Sequence, residues 1–394
     1  MKVSAIICEF NPFHNGHQHI ISEMKKQSDV VVCIMSGCFV QRGAAAITTP
    51  YLRAQIAVTA GADLVLELPF PYSASSAESF AEAGVGIAAR VGCDTLFFGS
   101  ESANIQLLEK AAEVTLTPNF ADEYAALLKG SLGTTAAYNR AIANILNQPD
   151  LEINANDLLG ISYIKAIKKN NYPITPSVIK RLGDGYNCEC VGNSQYPSAT
   201  ALRRLIYLSA EDRIALDCIL DGTMPDAARK MLIAACDMPA DLENVGSFIH
   251  AYYRLADAKT LEGYAEMSGG LAHKVCRVAK ETVCYQDFFA SLRNKHHTDA
   301  HLRRALLFGI LGVTREDILR APEYTTLLAS SSRGREFLKS IRKTSQIEII
   351  TKPASAPECR QTELSRRADT LFTLALPNPQ DAAYTVRFSP FVGD

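Results

Sequence analysis

The residues that could do chemistry crowd into one short stretch. Cys8–Ile21 reads CEFNPFHNGHQHII and holds three histidines directly behind the apolar run Val3–Cys8. Within it, Asn11–His17 reads NPFHNGH. Pro12 cannot donate to a sheet ladder and helps to end a strand. Gly16 lets a ligand come close to the backbone. His14 and His17 share a face once a helix begins, because their spacing is one helical turn. His19 falls off that face and reads as structural or peripheral. The free N–H groups of a helix start attract anions. Two imidazoles beside them can bond phosphate oxygens and carry positive charge where negative charge develops in a transition state. An isolated HxxH spacing could also be chance or half of a metal site. The strand–turn–helix setting selects phosphate chemistry, with His14 and His17 as the catalytic candidates.

A second candidate is Ser198–Arg203, SATALR. Ser198 is a helix N-cap by type, Thr200 adds a hydroxyl in the first turn, and Arg203 lies on the following turn. Such a helix start can hold the far phosphates of a triphosphate from the opposite side. On its own the segment could be any capped helix.

The elements that must position these groups follow from periodicity. Strands are expected at Val3–Cys8, Val30–Met35, Leu64–Leu68 and Thr95–Phe98. Helices are expected between them at 17–27, 50–60 and 75–91. Buried strands alternating with helices imply a parallel sheet covered on both faces, with ligands beyond the carboxyl ends of the strands. A helix at 157–169, a strand at 174–180, a glycine-rich loop at 183–192 and a helix at 198–209 complete this part. Residues 211–345 read as successive helices, 346–351 as a strand and 362–376 as a helix. The fold class is α/β: a Rossmann-like parallel sheet over residues 1–210, then a mainly α-helical domain over 211–394 with a short C-terminal strand.

The totals narrow the function. The chain has 394 residues, 47% hydrophobic and 21% charged, with a net charge of −2. Nucleic-acid binding must therefore come from local patches. Eleven cysteines include no CxxC pair, so no zinc framework is expected, and an odd scattered set fits a reducing cytosol. The apolar start is too short for a signal peptide, and no run approaches the length of a membrane span. A soluble cytoplasmic protein is the expectation.

NPFHNGH resembles the HxGH motif of the nucleotidyltransferase superfamily, and SATALR resembles its second signature, with Leu202 in an isoleucine position. MSGCFVQRG (35–43), GADLVLELPF (61–70), FFGSE (97–101), NDLLGISYIKAI (156–167), IKRLGDGY (179–186), LRRALLFGILGVTRED (302–317) and GREFLKSIRKTSQIEIITK (334–352) together resemble the bacterial tRNA(Met) cytidine acetate ligase family. That resemblance implies activation of acetate by ATP as acetyl-adenylate, then transfer of the acetyl group to N4 of the wobble cytidine of elongator tRNA(Met). It implies that Ile7, Cys8, Glu9, Phe10, Asn11, Pro12, Phe13, His14, Asn15, Gly16, His17, Gln18, His19 and Ile20 line the ATP site. Gly99, Asn156 and Arg181 join them, with Ser198, Thr200 and Arg203 on the phosphates. Gly99 would leave room for base or ribose. Asn156 could pair with an adenine edge or cap its helix, and Arg181 could neutralise phosphate or stack. Mg²⁺ is expected with the triphosphate, without a dedicated protein cage.

The chain departs from the family pattern at Cys38, where Asn is usual, at Ala44-Ala45 in place of Glu-Pro, and at Pro50 in place of Lys. Gly269 and His273 replace polar positions further on. These departures leave a metabolite nucleotidyltransferase and a non-catalytic nucleotide- or RNA-binding homologue as alternatives. Two basic segments, 291–304 and 332–343, give the expected tRNA contacts: Arg293, Lys295, Arg303, Arg304, Arg335, Lys339 and Arg342.

Overall fold

A computed structural model describes residues 1–130, 132–183, 195–235, 238–294 and 297–394. Lys295 and most of the glycine-rich loop at 183–192 lie outside the described residues.

The first half forms β1 (Val3–Cys8), α1 (Asn15–Lys25), β2 (Val30–Ser36), α2 (Pro50–Thr59), β3 (Leu64–Leu68), α3 (Ala77–Arg90) and β4 (Thr95–Ser100). Helices α4 (Ile105–Thr115), α5 (Pro118–Leu128), α6 (Thr134–Ile145) and α7 (Ala155–Lys169) follow, then β5 (Thr175–Lys180) and α8 (Ala199–Leu208). The second half holds α9 (Arg213–Leu220), α10 (Asp226–Ala234), α11 (Gly246–Leu255), α12 (Ala258–Leu261), α13 (Leu271–Glu281), α14 (Tyr285–Leu292), α15 (Asp299–Leu311) and α16 (Arg315–Leu319). It ends with β6 (Tyr324–Ser330), α17 (Ser332–Ile341), β7 (Glu348–Ile350), α18 (Arg360–Leu374) and β8 (Phe391–Val392).

The sheet order is β5-β4-β1-β2-β3-β6-β7, with β8 paired to β6. Strands β5 to β3 are parallel, as expected. Strand β6 is the unforeseen one: it runs antiparallel to β3 and brings residues beyond 210 back into the first sheet. Its sequence YTTLLAS is β-branched and apolar and is buried throughout, so the strand signal was present inside a region read as helical.

Alternation along the strands divides the core in two. Val3, Ala5 and Ile7 of β1 face α3, α7 and α17, whereas Ile6 and Cys8 face α1 and α2. A third core joins α11, α13, α14, α15 and α18, and it takes in Cys38, Phe39 and Ala45 from the loop after β2. Phe39 is 1% exposed there. Burial of such a ring stabilises by about 1.5–3 kcal/mol, which fastens that loop to the helical half. Chain order puts β1 between β2 and β4, so the direction of winding reverses at β1 and β4. The crevice beyond their carboxyl ends is where an open α/β sheet takes its ligand.

Candidate active site

The site grows from the turn between β1 and α1. Phe10 takes a left-handed backbone (φ 47°), a conformation costing about 1–3 kcal/mol in a non-glycine residue. Its fully buried ring packs edge-on against Phe13 and His17, each at 5.0 Å, which offsets that cost. His14 then caps α1. Its Nδ1 accepts from the Gly16 N–H at 3.0 Å, and His17 Nδ1 accepts from the His14 N–H at 3.3 Å. The two rings lie 3.8 Å apart.

This reciprocal cap fixes the protons. With both Nδ1 atoms accepting, a neutral imidazole must carry its hydrogen on Nε2. Burial, followed by Arg181 and Arg203, lowers the His14 pKa to about 3. Burial, followed by His14 and Arg181, holds His17 well below its ordinary value. The expectation of positively charged imidazoles is therefore corrected: both are neutral Nε2–H donors near neutral pH. The expectation of free amides at the start of α1 is corrected too. Asn15 N–H donates to Thr223 O at 3.0 Å, Gly16 N–H to His14, and His17 N–H to His14 O at 2.9 Å. The donors this turn leaves on the cavity are the imidazoles, with Arg181 and Arg203 beside them.

One cavity gathers Ile7, Cys8, Glu9, Phe10, Asn11, His14, His17, Ile20, Gly99, Asn156, Arg181, Ser198, Thr200 and Arg203. Of the expected site residues, Pro12, Phe13, Asn15, Gly16, Gln18 and His19 do not line it. Pro12 and Phe13 are buried beneath the turn, and His19 is partly exposed on α1. The Asn15 side chain donates to Gly222 O at 2.8 Å, and Gln18 donates to Ala60 O at 3.0 Å. These six build the turn rather than face its ligand.

The opposite wall is α8, whose first turn puts Ser198, Ala199 and Thr200 on the cavity. Ser198 is its N-cap, accepting from Ala201 N–H at 3.0 Å. Arg203 reaches across to donate to Asn11 O at 2.7 Å and to Thr200 Oγ1 at 3.1 Å. The guanidinium thus ties α8 to the β1 turn. At the third wall, a Cβ on Gly99 would lie 3.1 Å from Arg181 Cγ and 3.5 Å from Ile20 Cδ1, so only glycine leaves that wall open. Asn156 lies inside the first turn of α7 and donates to Glu101, rather than capping the helix. Arg181 Nε stands 3.9 Å from the same Glu101 carboxylate.

Sequence reasoning missed Arg53. It is 1% exposed, and it donates to Glu9 O at 2.6 Å, Thr48 O at 3.3 Å and Gly37 O. Burial lowers its pKa to about 10, so it stays charged. One cation therefore anchors the turn after β1 and the loop after β2 together. The available signal was an arginine inside an otherwise small and apolar helix.

Gln41 and Arg42 of the β2 loop, with Asn156 and Leu159, also line a neighbouring cleft walled by His297, Thr298, His301 and Arg304. Gly43 (φ 69°) packs so closely that a Cβ there would meet the backbone N of Arg304 at 2.6 Å. The expected tRNA-contacting residues divide. Arg304 is held by Glu266 at 2.8 and 2.9 Å. Arg293 pairs with Asp299 at 2.8 Å, and Arg303 stands over the Phe289 ring at 5.3 Å. Arg335 and Lys339 on α17 and Arg342 at its C-cap are away from this cleft; Arg335 donates to Gly393 O at 2.8 Å and the other two are exposed. Among the described residues no group of three His, Cys, Asp or Glu side chains could hold a metal, and no helix is long and apolar enough to cross a membrane.

Residues 1–386 match the family model described as HIGH Nucleotidyl Transferase. The chain is 32% identical to a protein of Acetivibrio thermocellus named tRNA(Met) cytidine acetate ligase, over 96% of each chain. It is 33% identical to a protein of the same name from Thermosipho africanus, over 90% of this chain and 85% of the other. Thermotoga maritima TmcAL bound with alpha-thio ATP has the same fold over the whole of both chains, with TM-score 0.87 and 25% identity. The apo form of that protein gives 0.90 and 26%, again over both whole chains.

Proposed function

The chain belongs to the HIGH nucleotidyl transferase family and to the family of the tRNA(Met) cytidine acetate ligases, and from that premise we propose that it activates acetate with ATP and acetylates a tRNA cytidine. The observation that carries this reading is the pair of neutral, reciprocally capped imidazoles at the β1 turn, facing Arg203 and the start of α8 in one cavity. Gly99, Asn156 and Arg181 would take the nucleoside, and the Nε2–H groups of His14 and His17 would donate to the phosphate oxygens that gain charge. Donors already aimed by backbone bonds need no reorganisation as that charge develops. Arg203 and α8 would hold the departing pyrophosphate.

In the first step an acetate oxygen attacks the α-phosphorus, the bond to the bridging oxygen of the β-phosphate breaks, and pyrophosphate leaves. Acetyl-adenylate remains. In the second step N4 of cytidine attacks the acetyl carbon, AMP leaves, and the nitrogen gives up a proton. No side chain forms a covalent bond. Mg²⁺ would enter with ATP as counter-ion to its phosphates. The acceptor, elongator tRNA(Met), would approach through the cleft beside Gln41, Arg42 and the start of α15. Arg304 holds the wall of that approach through Glu266, and Arg293 and Arg303, elsewhere on the same basic segment, would take backbone phosphates. A tRNA substrate would put the reaction in the cytoplasm.

Incubation with ATP, labelled acetate and total tRNA tests the reading. The expected result is label on N4 of cytidine in one tRNA, with AMP and pyrophosphate formed. Adenylation of a phosphorylated metabolite without tRNA, or no turnover, would contradict it.

A further inference from the structure

One wing of the cavity carries none of the polar groups assigned to the nucleotide. Opposite Gly99 and Ile20, it is walled by Ile7, Phe80, Phe98, Leu159 and Tyr163. All five belong to, or pack against, the core on the α3 and α7 face, the other side of the sheet from α1. Four are deeply buried: Phe80 2%, Tyr163 2%, Phe98 4% and Ile7 7% exposed. An adenine edge asks for donors and acceptors. This wing offers almost nothing but hydrocarbon and aromatic surface.

Two glycines back its walls. A Cβ on Gly84 of α3 would meet Ile7 Cδ1 at 2.6 Å, and a Cβ on Gly160 of α7 would meet Phe98 Cε2 at 2.4 Å. The two helices therefore press directly onto Ile7 and Phe98. Tyr163 adds a second clamp, its ring centroid 5.7 Å from that of Phe98. A close-packed wall of this kind resists being pushed back by a longer guest. Leu159, one turn from Asn156 on α7, is the partly exposed member and also lines the acceptor cleft.

We propose that this wing is the acyl pocket, which seats the methyl group of the carboxylic acid beside the phosphate-binding histidines and rejects longer chains at Phe80 and Leu159. The inference rests on the adenylation reading above and assigns its chain-length specificity. The carboxylate would point back toward the α-phosphorus, and Leu159 would separate the acyl group from the cleft through which the acceptor amine arrives.

The test is carboxylate-dependent ATP–pyrophosphate exchange with formate, acetate, propionate and butyrate, on wild type, Phe80→Ala and Leu159→Ala. Wild type is expected to favour acetate over propionate by roughly 10–200-fold, the range that one methylene commands in a shaped apolar pocket. Each variant is expected to cut that ratio at least tenfold, with Phe80→Ala extending use to butyrate. The ratio is internally controlled, because loss of folded enzyme lowers both rates together. Acetate-to-propionate ratios unchanged in both variants, while acetate exchange persists, would overturn the acyl pocket and leave the adenylation reading standing. No exchange with any of the four acids in wild type would overturn both.

Discussion

Two segments leave neighbouring strands of the same sheet and are built on opposite principles. The turn after β1 is held mostly from within: His14 and His17 cap each other through backbone amides, and Phe10 and Phe13 pack beneath them. The loop after β2 is held from far away. Cys38, Phe39 and Ala45 sit in the core of the helical half, and Gly43 rests against α15. A turn whose two imidazoles are aimed by its own amides holds their geometry, with Arg53, Arg203 and Thr223 fixing it to its neighbours, which suits phosphate chemistry. A loop held by another part of the molecule reports on that part, which suits choice of acceptor.

The largest break in this contrast comes from the turn. His14→Ala or His17→Ala removes a preorganised donor, and each is expected to lower adenylate formation by about 10²–10³-fold, measured as pyrophosphate release in single turnovers. Next is the shared anchor. Arg53→Met leaves carbonyls of Glu9, Gly37 and Thr48 without their buried donor. Unpaired buried groups of this kind cost about 1–3 kcal/mol each, so with three of them a stability loss of at least about 3 kcal/mol is expected in urea unfolding, with both half-reactions impaired. Third, Gly43→Ala presses a methyl onto the Arg304 backbone at a left-handed position. Acetate-dependent adenylation is expected to persist, while KM for tRNA rises about tenfold, on the order of 1–2 kcal/mol of strain. Equal losses in both steps would erase the contrast.

The smallest effect lies behind the β2 loop. Burial and the neighbouring Asp369 raise the Glu67 pKa to about 7, and burial raises Asp369 to about 6. A carboxyl whose pKa is raised by folding contributes its stability below its unfolded value, about 4.3, and loses it as pH rises through 7. Glu67→Gln should therefore be more stable than wild type at pH 8, by on the order of 1–2 kcal/mol, and little different at pH 5, as read by urea unfolding at the two pH values. A pH-independent difference would show that Glu67 does not titrate across that range. The histidines bear the opposite sign. His14, whose pKa is lowered to about 3, contributes stability above about pH 6.5 that falls away as pH drops toward 3.

The same contrast explains what was legible. The strand order follows from alternating apolar runs and helices, and the phosphate turn from seven consecutive residues, because both are short-range patterns. The neutral state of the imidazoles depends on burial and on the positive charges of residues as distant in sequence as Arg181 and Arg203. Arg53 has no motif, since its partners are carbonyls of three separate segments. Strand β6 was hidden because its partner β3 lies more than 250 residues earlier, as Thr325 bonding to Glu67 O with a separation of 258 residues illustrates. Of the basic segments, composition treated 291–304 and 332–343 alike. Only the tertiary structure puts the first beside the cleft at Gln41 and Arg42 and the second on a helix that covers the sheet.

The most direct test of the central claim, that the cavity at the ends of β1 and β4 activates acetate on its own, is ATP–pyrophosphate exchange without tRNA. Wild type is expected to exchange label only when acetate is present, and His17→Ala is expected to lose that exchange. Acetate-independent exchange, no exchange in wild type, or exchange preserved in His17→Ala would contradict the account.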